Sequence, residues 1–259
     1  MKDRIKNAKG FLFDIDGVFT QSGKPLPGAT YTINTLLSKR IPFRFLTNTT
    51  TKSRRTLHKE LLKLEINCKE DDIFSAGYSG VNVIRNLGSP SCTLFISEDL
   101  KRDYSRFQID NDRPELVVIG DFEEWTFNSL NIAFNYVMGG AKIIALHIGK
   151  YYGTDAGLRL DAGAFVKALE YSTGEVALVV GKPSKNFFKN AIDDLDIEPK
   201  KIIMVGDDLV NDIGGAQSVN IPGLLVKTGK YHDSMLEASD IIPDGLIDTI
   251  GNIGKILNG

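Results

Sequence analysis

The chain has 259 residues, 42% hydrophobic and 25% charged, which excludes a disordered chain and allows one large or two modest cores. Thirty-one basic residues against thirty-three acidic ones leave a formal charge of -2 with no basic block, which argues against nucleic acid as a partner. No apolar run approaches the roughly 20 residues that span a bilayer and the start, MKDRIKNAKGFLFD, lacks a signal-peptide core, so no membrane is expected and the expected location is cytoplasmic.

From the N-terminus, FLFD (residues 11–14) reads as a buried strand that ends on an acid, with a second acid, Asp16, just beyond it. A helix follows over Ala29 to Arg40, with Ala29, Ile33, Leu36 and Leu37 at helical spacing, and FRFLT (Phe43–Thr47) is the second strand. Leu57, Leu61 and Leu64 mark the next helix. Further strands are expected at CTLFIS (Cys92–Ser97), ELVVIG (Glu115–Gly120), KIIALH (Lys142–His147), EVALVV (Glu175–Val180), KIIMVG (Lys201–Gly206) and GLLVK (Gly223–Lys227), nearly all separated by helical patterns. This alternation is that of an α/β protein with mostly parallel sheets. Cys68 and Cys92 form no Cys-x-x-Cys pair, and His58, His147 and His232 are scattered, so neither a disulfide framework nor a zinc cluster is expected.

Eight such strands make either one barrel or two sheets. A barrel would distribute chemistry around one ring of strand ends. Here the polar residues gather after the first, second, sixth and seventh strands, whereas the stretch from about Gly77 to Val180 has few at its strand ends. Two domains are therefore expected, a discontinuous one formed by residues 1–76 and 181–259 and an inserted one at 77–180, joined by short linkers at Ser75–Ser79 and Val180–Ser184.

Four pieces follow strands of the outer domain: DIDGV (Asp14–Val18), TNTT (Thr47–Thr50), GKPS (Gly181–Ser184) and GDDLVND (Gly206–Asp212). The carboxyl ends of strands in an open parallel sheet converge on one crevice. Carboxylates, a hydroxyl, an amide, one lysine and helix N-termini gathered there suit a metal-bound phosphate. Taken singly, Lys182 reads as a solvated loop lysine, Thr47 as a helix cap, and Asp207 and Asp208 as residues favoured by a helix dipole. Their joint order behind four strands is what points to a site. GKPS lacks the spacing of a nucleotide P-loop, and GGAQSVNIPG does not follow a strand as a dinucleotide fingerprint should. Phe187 and Phe188 read as core.

The motifs resemble those of the haloacid dehalogenase superfamily of phosphatases: an Asp-x-Asp-Gly pair, a Thr, a Lys, and a Gly-Asp with another Asp close by. The resemblance covers the whole chain, and the long insertion is similar to the α/β cap of the nitrophenyl-phosphatase-like branch. Within it, HIGKYYGTDAGLRLDAGAFVKALEYSTG, VVGKPSKNFF, MVGDD, GGAQ and LVKTGKY look like the phospholysine phosphohistidine inorganic pyrophosphate phosphatases and their relatives. In those relatives the second Asp of the first motif is often Ser, whereas this chain keeps Asp16.

The resemblance implies a Rossmann-like parallel-sheet core with an inserted α/β cap, and the following roles. Asp14 is the nucleophile that forms an aspartyl-phosphate, and Asp16 is the general acid and then base. Thr47 and Asn48 hold phosphoryl oxygens, and Lys182 supplies positive charge where carboxylate and phosphoryl group crowd. Magnesium is held by Asp14, the Asp16 main-chain carbonyl and Asp207, with Asp212 orienting a metal-bound water. His147, Lys150, Tyr151, Tyr152 and Arg159, after the strand KIIALH, are expected to read the leaving group of a small phosphorylated substrate, pyrophosphate and P–N compounds included. A signalling domain that keeps the phosphoryl group would need neither Asp16 nor a hundred-residue insertion, and a silent phosphate binder would lack the nucleophile or the lysine. A phosphomutase sharing the core residues stays open, as does a homodimer.

Overall fold

The computed structural model describes residues 1–154, 157–193 and 195–259. The chain divides into two compact units, one of Met1–Thr47, Leu57–Phe74 and Lys182–Gly259, the other of Asn48–Thr56 and Ser75–Gly181.

The first unit is built on a six-stranded sheet in the order Gly245–Ile247, Gly223–Val226, Ile202–Gly206, Gly10–Asp14, Phe43–Thr47, Ile73–Ser75. The strand Gly10–Asp14 is central and runs parallel to both neighbours, pairing Phe13 with Val205 on one side and with Phe45 on the other. Both faces of a parallel sheet are covered, so its strands are apolar throughout rather than alternating. Side chains two apart share a face, and one face carries Phe11, Phe13, Phe43 and Phe45, joined by Phe19, whose ring lies edge-on to Phe13 at 5.0 Å and to Phe45 at 5.1 Å. The helices Ala29–Ser38 and Gly251–Asn258 pack together, and Thr32 on the first donates its hydroxyl to the Ile250 carbonyl. Phe187 and Phe188 are buried core residues, as expected.

The second unit holds a four-stranded parallel sheet, Leu178–Val179, Lys142–Ala145, Leu116–Ile119, Cys92–Phe95. Strand alternation sorts its core into two layers. Leu116, Val118 and Ile144 meet Val81 and Ile84 of the helix Ala76–Asn86, and Val117, Ile119 and Ile143 meet Ala133 and Val137 of the helix Phe127–Met138 with Val166 and Leu169 of the helix Ala162–Thr173.

Several sequence expectations need correction. Ser75–Ser79 is not a linker: Ser75 ends a strand and caps the helix Ala76–Asn86, its hydroxyl accepting the Tyr78 N–H. Leu37 is 45% exposed, because Thr32 and Thr35 occupy the inner face beside Ile33 and Leu36. The strand expected at Glu175–Val180 pairs only at Leu178–Val179, with Val176 79% exposed. Strands at Ile73–Ser75 and Gly245–Ile247, and antiparallel hairpins at Thr20–Gln21 with Lys24–Pro25 and at Tyr151–Thr154 with Gly157–Leu160, were not anticipated.

Candidate active site

Asp14 stands at the carboxyl end of the central strand, where the apolar run gives way to the Ile15–Thr20 turn. On the adjacent strand, Phe43–Thr47, the buried Thr47 occupies the same end. On the other side, Ile202–Gly206 delivers Asp207, and the wide π-type turn Leu209–Gly214 that follows carries Asp212. Lys182 opens the last segment of the unit and is 4% exposed. Its Nζ donates to Asp14 Oδ1 at 2.8 Å, to Asp212 Oδ1 at 2.7 Å and to the Leu46 carbonyl at 3.3 Å.

The electrostatics follow from burial. Removal from water works to lower the Lys182 ammonium, but the Asp14 and Asp212 carboxylates outweigh it and hold its pKa above the ordinary lysine value. Burial pushes Asp14 up to about 6 against the pull of Lys182, with the charge of Asp207 adding to the rise. Asp207 also rises to about 6, through burial and then the nearby Asp212 charge. Asp212, fully buried, is raised to about 7 by burial first. Lys182 bonds two of these acids, while Asp207 feels the charges of Lys230 and Lys182 with no ammonium bonded to it among the described residues.

The two neighbouring acids of the fourth motif have separate jobs. Asp208 caps the π-type turn, accepting the Val210 and Asn211 N–H groups, and pairs with Lys230 Nζ at 3.0 Å. Asp207 does no capping. Its Oδ2 accepts the Lys230 N–H at 2.7 Å, while Oδ1 is buried with no hydrogen-bond partner among the described residues. Gly17 and Gly229, both at positive φ, press on this carboxylate: a Cβ on either would come within 2.0 Å of Oδ2. Thr228 secures the approach by donating to the Gly17 carbonyl.

A buried carboxylate oxygen left unpaired costs free energy unless a cation takes it. Oxygens of Asp14, Asp207 and Asp212 lie within 4.8 Å of one another, an all-oxygen donor set suited to a hard divalent cation. Asp212 is committed elsewhere, with Oδ1 on Lys182 and Oδ2 on the Asp208 N–H at 3.1 Å. The structure therefore ties Asp212 to the lysine. Asp16 is exposed on the turn beyond the strand, its Oδ1 accepting from Thr20 Oγ1 at 2.9 Å.

The remaining sequence-selected residues belong to the second unit. Asn48 is half-buried there, its Oδ1 against Gly181. His147 is buried just past the strand Lys142–Ala145, with Nε2 3.7 Å from Asp121 Oδ2 and 3.5 Å from Asp161 Oδ1. Lys150 and Tyr151 are exposed, while Tyr152 and Arg159 face each other across the hairpin and line a cleft of about 370 Å³ with Asp121, Phe122, Trp125 and Phe165. Asp155 and Ala156, in the same expected specificity loop, lie outside the described residues. Sequence reading missed Lys230, Gly17 and Gly229 around Asp207, and Thr50, Asp121 and Asp161 around His147. Advance signals lay in DIDGV, TNTT, HIGKYYGTDAGLRLDAG and LVKTGKY, which contain Gly17, Thr50, Asp161, and Gly229 with Lys230, but nothing in these stretches gave those residues a role, and Asp121 had no signal.

Residues 11–109 match the haloacid dehalogenase-like hydrolase family and residues 179–253 the HAD-hydrolase-like family. Phospholysine phosphohistidine inorganic pyrophosphate phosphatase of Danio rerio is 35% identical over 255 residues, covering 95% of this chain and 93% of the relative. This chain belongs to the haloacid dehalogenase-like hydrolases. The family member of the same name in Homo sapiens is 34% identical, covering 98% of this chain and 96% of its own. Haloacid dehalogenase-like hydrolase domain-containing protein 2 of Rattus norvegicus is 38% identical over 86% of this chain and 85% of the relative. Among solved structures, 4-nitrophenylphosphatase from Thermotoga maritima superposes with a TM-score of 0.92 at 25% identity, covering 98% of this chain and 99% of that one. The protein is thus a phosphatase of this superfamily with the expected parallel-sheet α/β fold. No helix among the described residues is long and apolar enough to cross a membrane.

Proposed function

We propose that this hydrolase cleaves small phosphorylated molecules in two steps through a phosphoryl group carried on Asp14, with magnesium as its metal. The observation that carries the reading is the Asp14–Lys182–Asp212 arrangement beside the unpaired Asp207 oxygen. Asp14, Asp207 and the Asp16 main-chain carbonyl would hold the metal, which supplies charge neutralisation between the attacking carboxylate and the phosphoryl oxygens.

In the first step an Asp14 carboxylate oxygen bonds to phosphorus as the bond to the leaving oxygen breaks, and the Asp16 carboxyl gives that oxygen its proton. In the second, the Asp16 carboxylate takes a proton from water, the water oxygen bonds to phosphorus, and the Asp14–phosphorus bond breaks to release phosphate. Lys182 keeps Asp14 oriented and balances the charge gathering on the phosphoryl oxygens. Asp212 holds Lys182 in place, and Thr47 and Asn48 bind the non-reacting oxygens. The exposed Asp16, tethered by Thr20, has the freedom to meet leaving group and then water.

For the substrate, the relatives named for pyrophosphate, phospholysine and phosphohistidine suggest compact P–O–P or P–N compounds, and the structural neighbour named for nitrophenyl phosphate adds simple esters. Asp16 supports the ester arm, since a poor alcohol leaving group needs a proton. The test is Asp14→Asn, assayed for phosphate release with thermal melts alongside, and mass spectrometry of acid-quenched parent protein for a phosphoryl adduct on the Asp14 peptide. We expect a folded variant with turnover lower by on the order of 10³ or more and an adduct in the parent. Parent-like turnover in Asp14→Asn would remove the nucleophile.

A further inference from the structure

The second unit contains a polar cluster that the proposed chemistry does not use. Thr50, fully buried, donates its hydroxyl to Asp121 Oδ2 at 2.7 Å and accepts the Asp121 N–H at 2.8 Å, a two-way lock between residues 71 apart in sequence. Asp121 Oδ2 also faces His147 Nε2 at 3.7 Å. The Gly149 N–H reaches His147 Nδ1 at 3.3 Å, which leaves Nε2 as the ring N–H, aimed between Asp121 and Asp161. Asp161 accepts the Ala162 N–H at 2.7 Å where the helix Ala162–Thr173 begins.

The topology gives these contacts their meaning. Thr50 lies two residues after Asn48, in the loop proposed to hold phosphoryl oxygens, and the Ser97 hydroxyl ties that loop further by donating to the Thr50 and Thr51 carbonyls. His147 and Asp161 flank the hairpin Tyr151–Thr154 with Gly157–Leu160, one at each foot. Asp121 touches both sides. It also lines the cleft that Tyr152 and Arg159 face.

We propose that Asp121 is a positioning residue that couples the phosphoryl-binding loop at Asn48 to the hairpin that reads the leaving group. The inference rests on the functional reading given above. A rigid lock to Thr50 combined with a charge facing the hairpin feet means that a displaced hairpin shifts Asp121, and through it Thr50 and the backbone carrying Asn48. A good leaving group is then registered where phosphate is held. Discrimination between substrates appears in kcat as well as in KM.

The two contacts can be separated chemically. Asp121→Asn keeps a carbonyl oxygen for the Thr50 hydroxyl but removes the charge facing His147, whereas Asp121→Ala removes both. Measurements are kcat and KM for pyrophosphate and nitrophenyl phosphate, and competitive inhibition by inorganic phosphate, in both variants and in Thr50→Val, His147→Asn and their combination. We expect Asp121→Asn to keep phosphate inhibition within about twofold, and to shift the pyrophosphate to nitrophenyl phosphate ratio as His147→Asn does. Asp121→Ala should also weaken phosphate inhibition by about tenfold, the scale of one lost charge-assisted hydrogen bond. Thr50→Val and His147→Asn should combine non-multiplicatively by at least about threefold, and the Asp121→Ala background should abolish that coupling. Multiplicative effects, or coupling that survives Asp121→Ala, overturn the inference. Should Asp121→Ala melt before assay temperature, the substrate ratio of Asp121→Asn decides alone. A folded parent that releases no phosphate from any substrate would defeat the proposed function instead, and the same cycle would then be read by calorimetric binding of inorganic phosphate and pyrophosphate.

Discussion

Both units end a parallel sheet in buried acids, yet the two sets are balanced differently. At the first sheet, Lys182 bonds Asp14 and Asp212, and among the described residues one Asp207 oxygen is left over. At the second, burial works to raise Asp121, but the neighbouring His147 and hydrogen bonds with Thr50 outweigh it and hold the carboxyl below the usual aspartate range. Parallel strands bring acids together wherever they end on them. The supply of donors separates the proposed reactive centre, with an acid oxygen left over, from the Asp121 cluster, whose carboxylate is held by Thr50.

The sharpest way to break this contrast is to remove Lys182, the lysine bonded to Asp14 and Asp212. Lys182→Met should lower turnover by at least about 10³, the scale of losing a transition-state charge partner, and should destabilise the fold by about 3–5 kcal/mol near pH 7.5 by stranding buried carboxylates. The stability loss should shrink toward pH 5, because Asp14 and Asp212, raised to about 6 and about 7, take up protons there. Urea melts at both pH values check this, and a loss that does not depend on pH would contradict the stranded-acid account.

Next in size is an exchange at the second unit. Replacing residues 147–159 by a Gly/Ser linker of equal length should reorder kcat/KM among pyrophosphate, a phosphoramidate, a sugar phosphate, a nucleotide and nitrophenyl phosphate by about tenfold or more, the range a few pocket contacts supply. Nitrophenyl phosphate, activated and nearly featureless, should still be hydrolysed. An unchanged ranking would move specificity away from the hairpin.

A smaller effect distinguishes the acid sets by pH. Asp14 and Asp207 have folded pKa values of about 6, above the 3.8 of a free aspartate, so the folded state binds protons that the unfolded state does not. In chelator, their contribution to stability should therefore rise as pH falls from about 7 toward about 4. Saturating magnesium should erase the trend by favouring the charged forms. Thermal melts of parent and Asp207→Asn in chelator test it: equal slopes between pH 7.5 and 5 would show that Asp207 does not contribute. Smallest is the capping acid, where Asp208→Ala should cost about 1 kcal/mol in urea melts, as lost N-caps do.

The legibility of these features follows from how local their signals are. An apolar run ending in an acid is written in adjacent residues, so the strands bearing Asp14 and Asp207 could be read directly. Lys182 entered through its order in the chain, and its partners required the fold. The association of Asn48–Thr56 with the second unit was invisible, because Thr50, Ser53 and Arg54 bond to Asp121, Asp99 and Asp103, at least 46 residues away. Three-residue strands such as Ile73–Ser75 are too short to show a period, and neighbouring Asp207 and Asp208 look alike until the turn direction separates cap from site. Backbone donors such as the Lys230 N–H leave no trace in residue type.

The central position of Gly10–Asp14 also shapes how the enzyme comes into being. One neighbour, Phe43–Thr47, is made soon after it, but the other pairs Gly10 with Ile202 and Phe13 with Val205. At translation rates of about 5–20 residues per second, that partner follows after roughly 10–40 s. Throughout that interval one edge of an apolar strand waits unpaired, a natural binding stretch for chaperones. Asp14 first meets Lys182 and Asp207 when the second flank docks, so no fragment released from the ribosome before residue 207 can carry the assembled centre.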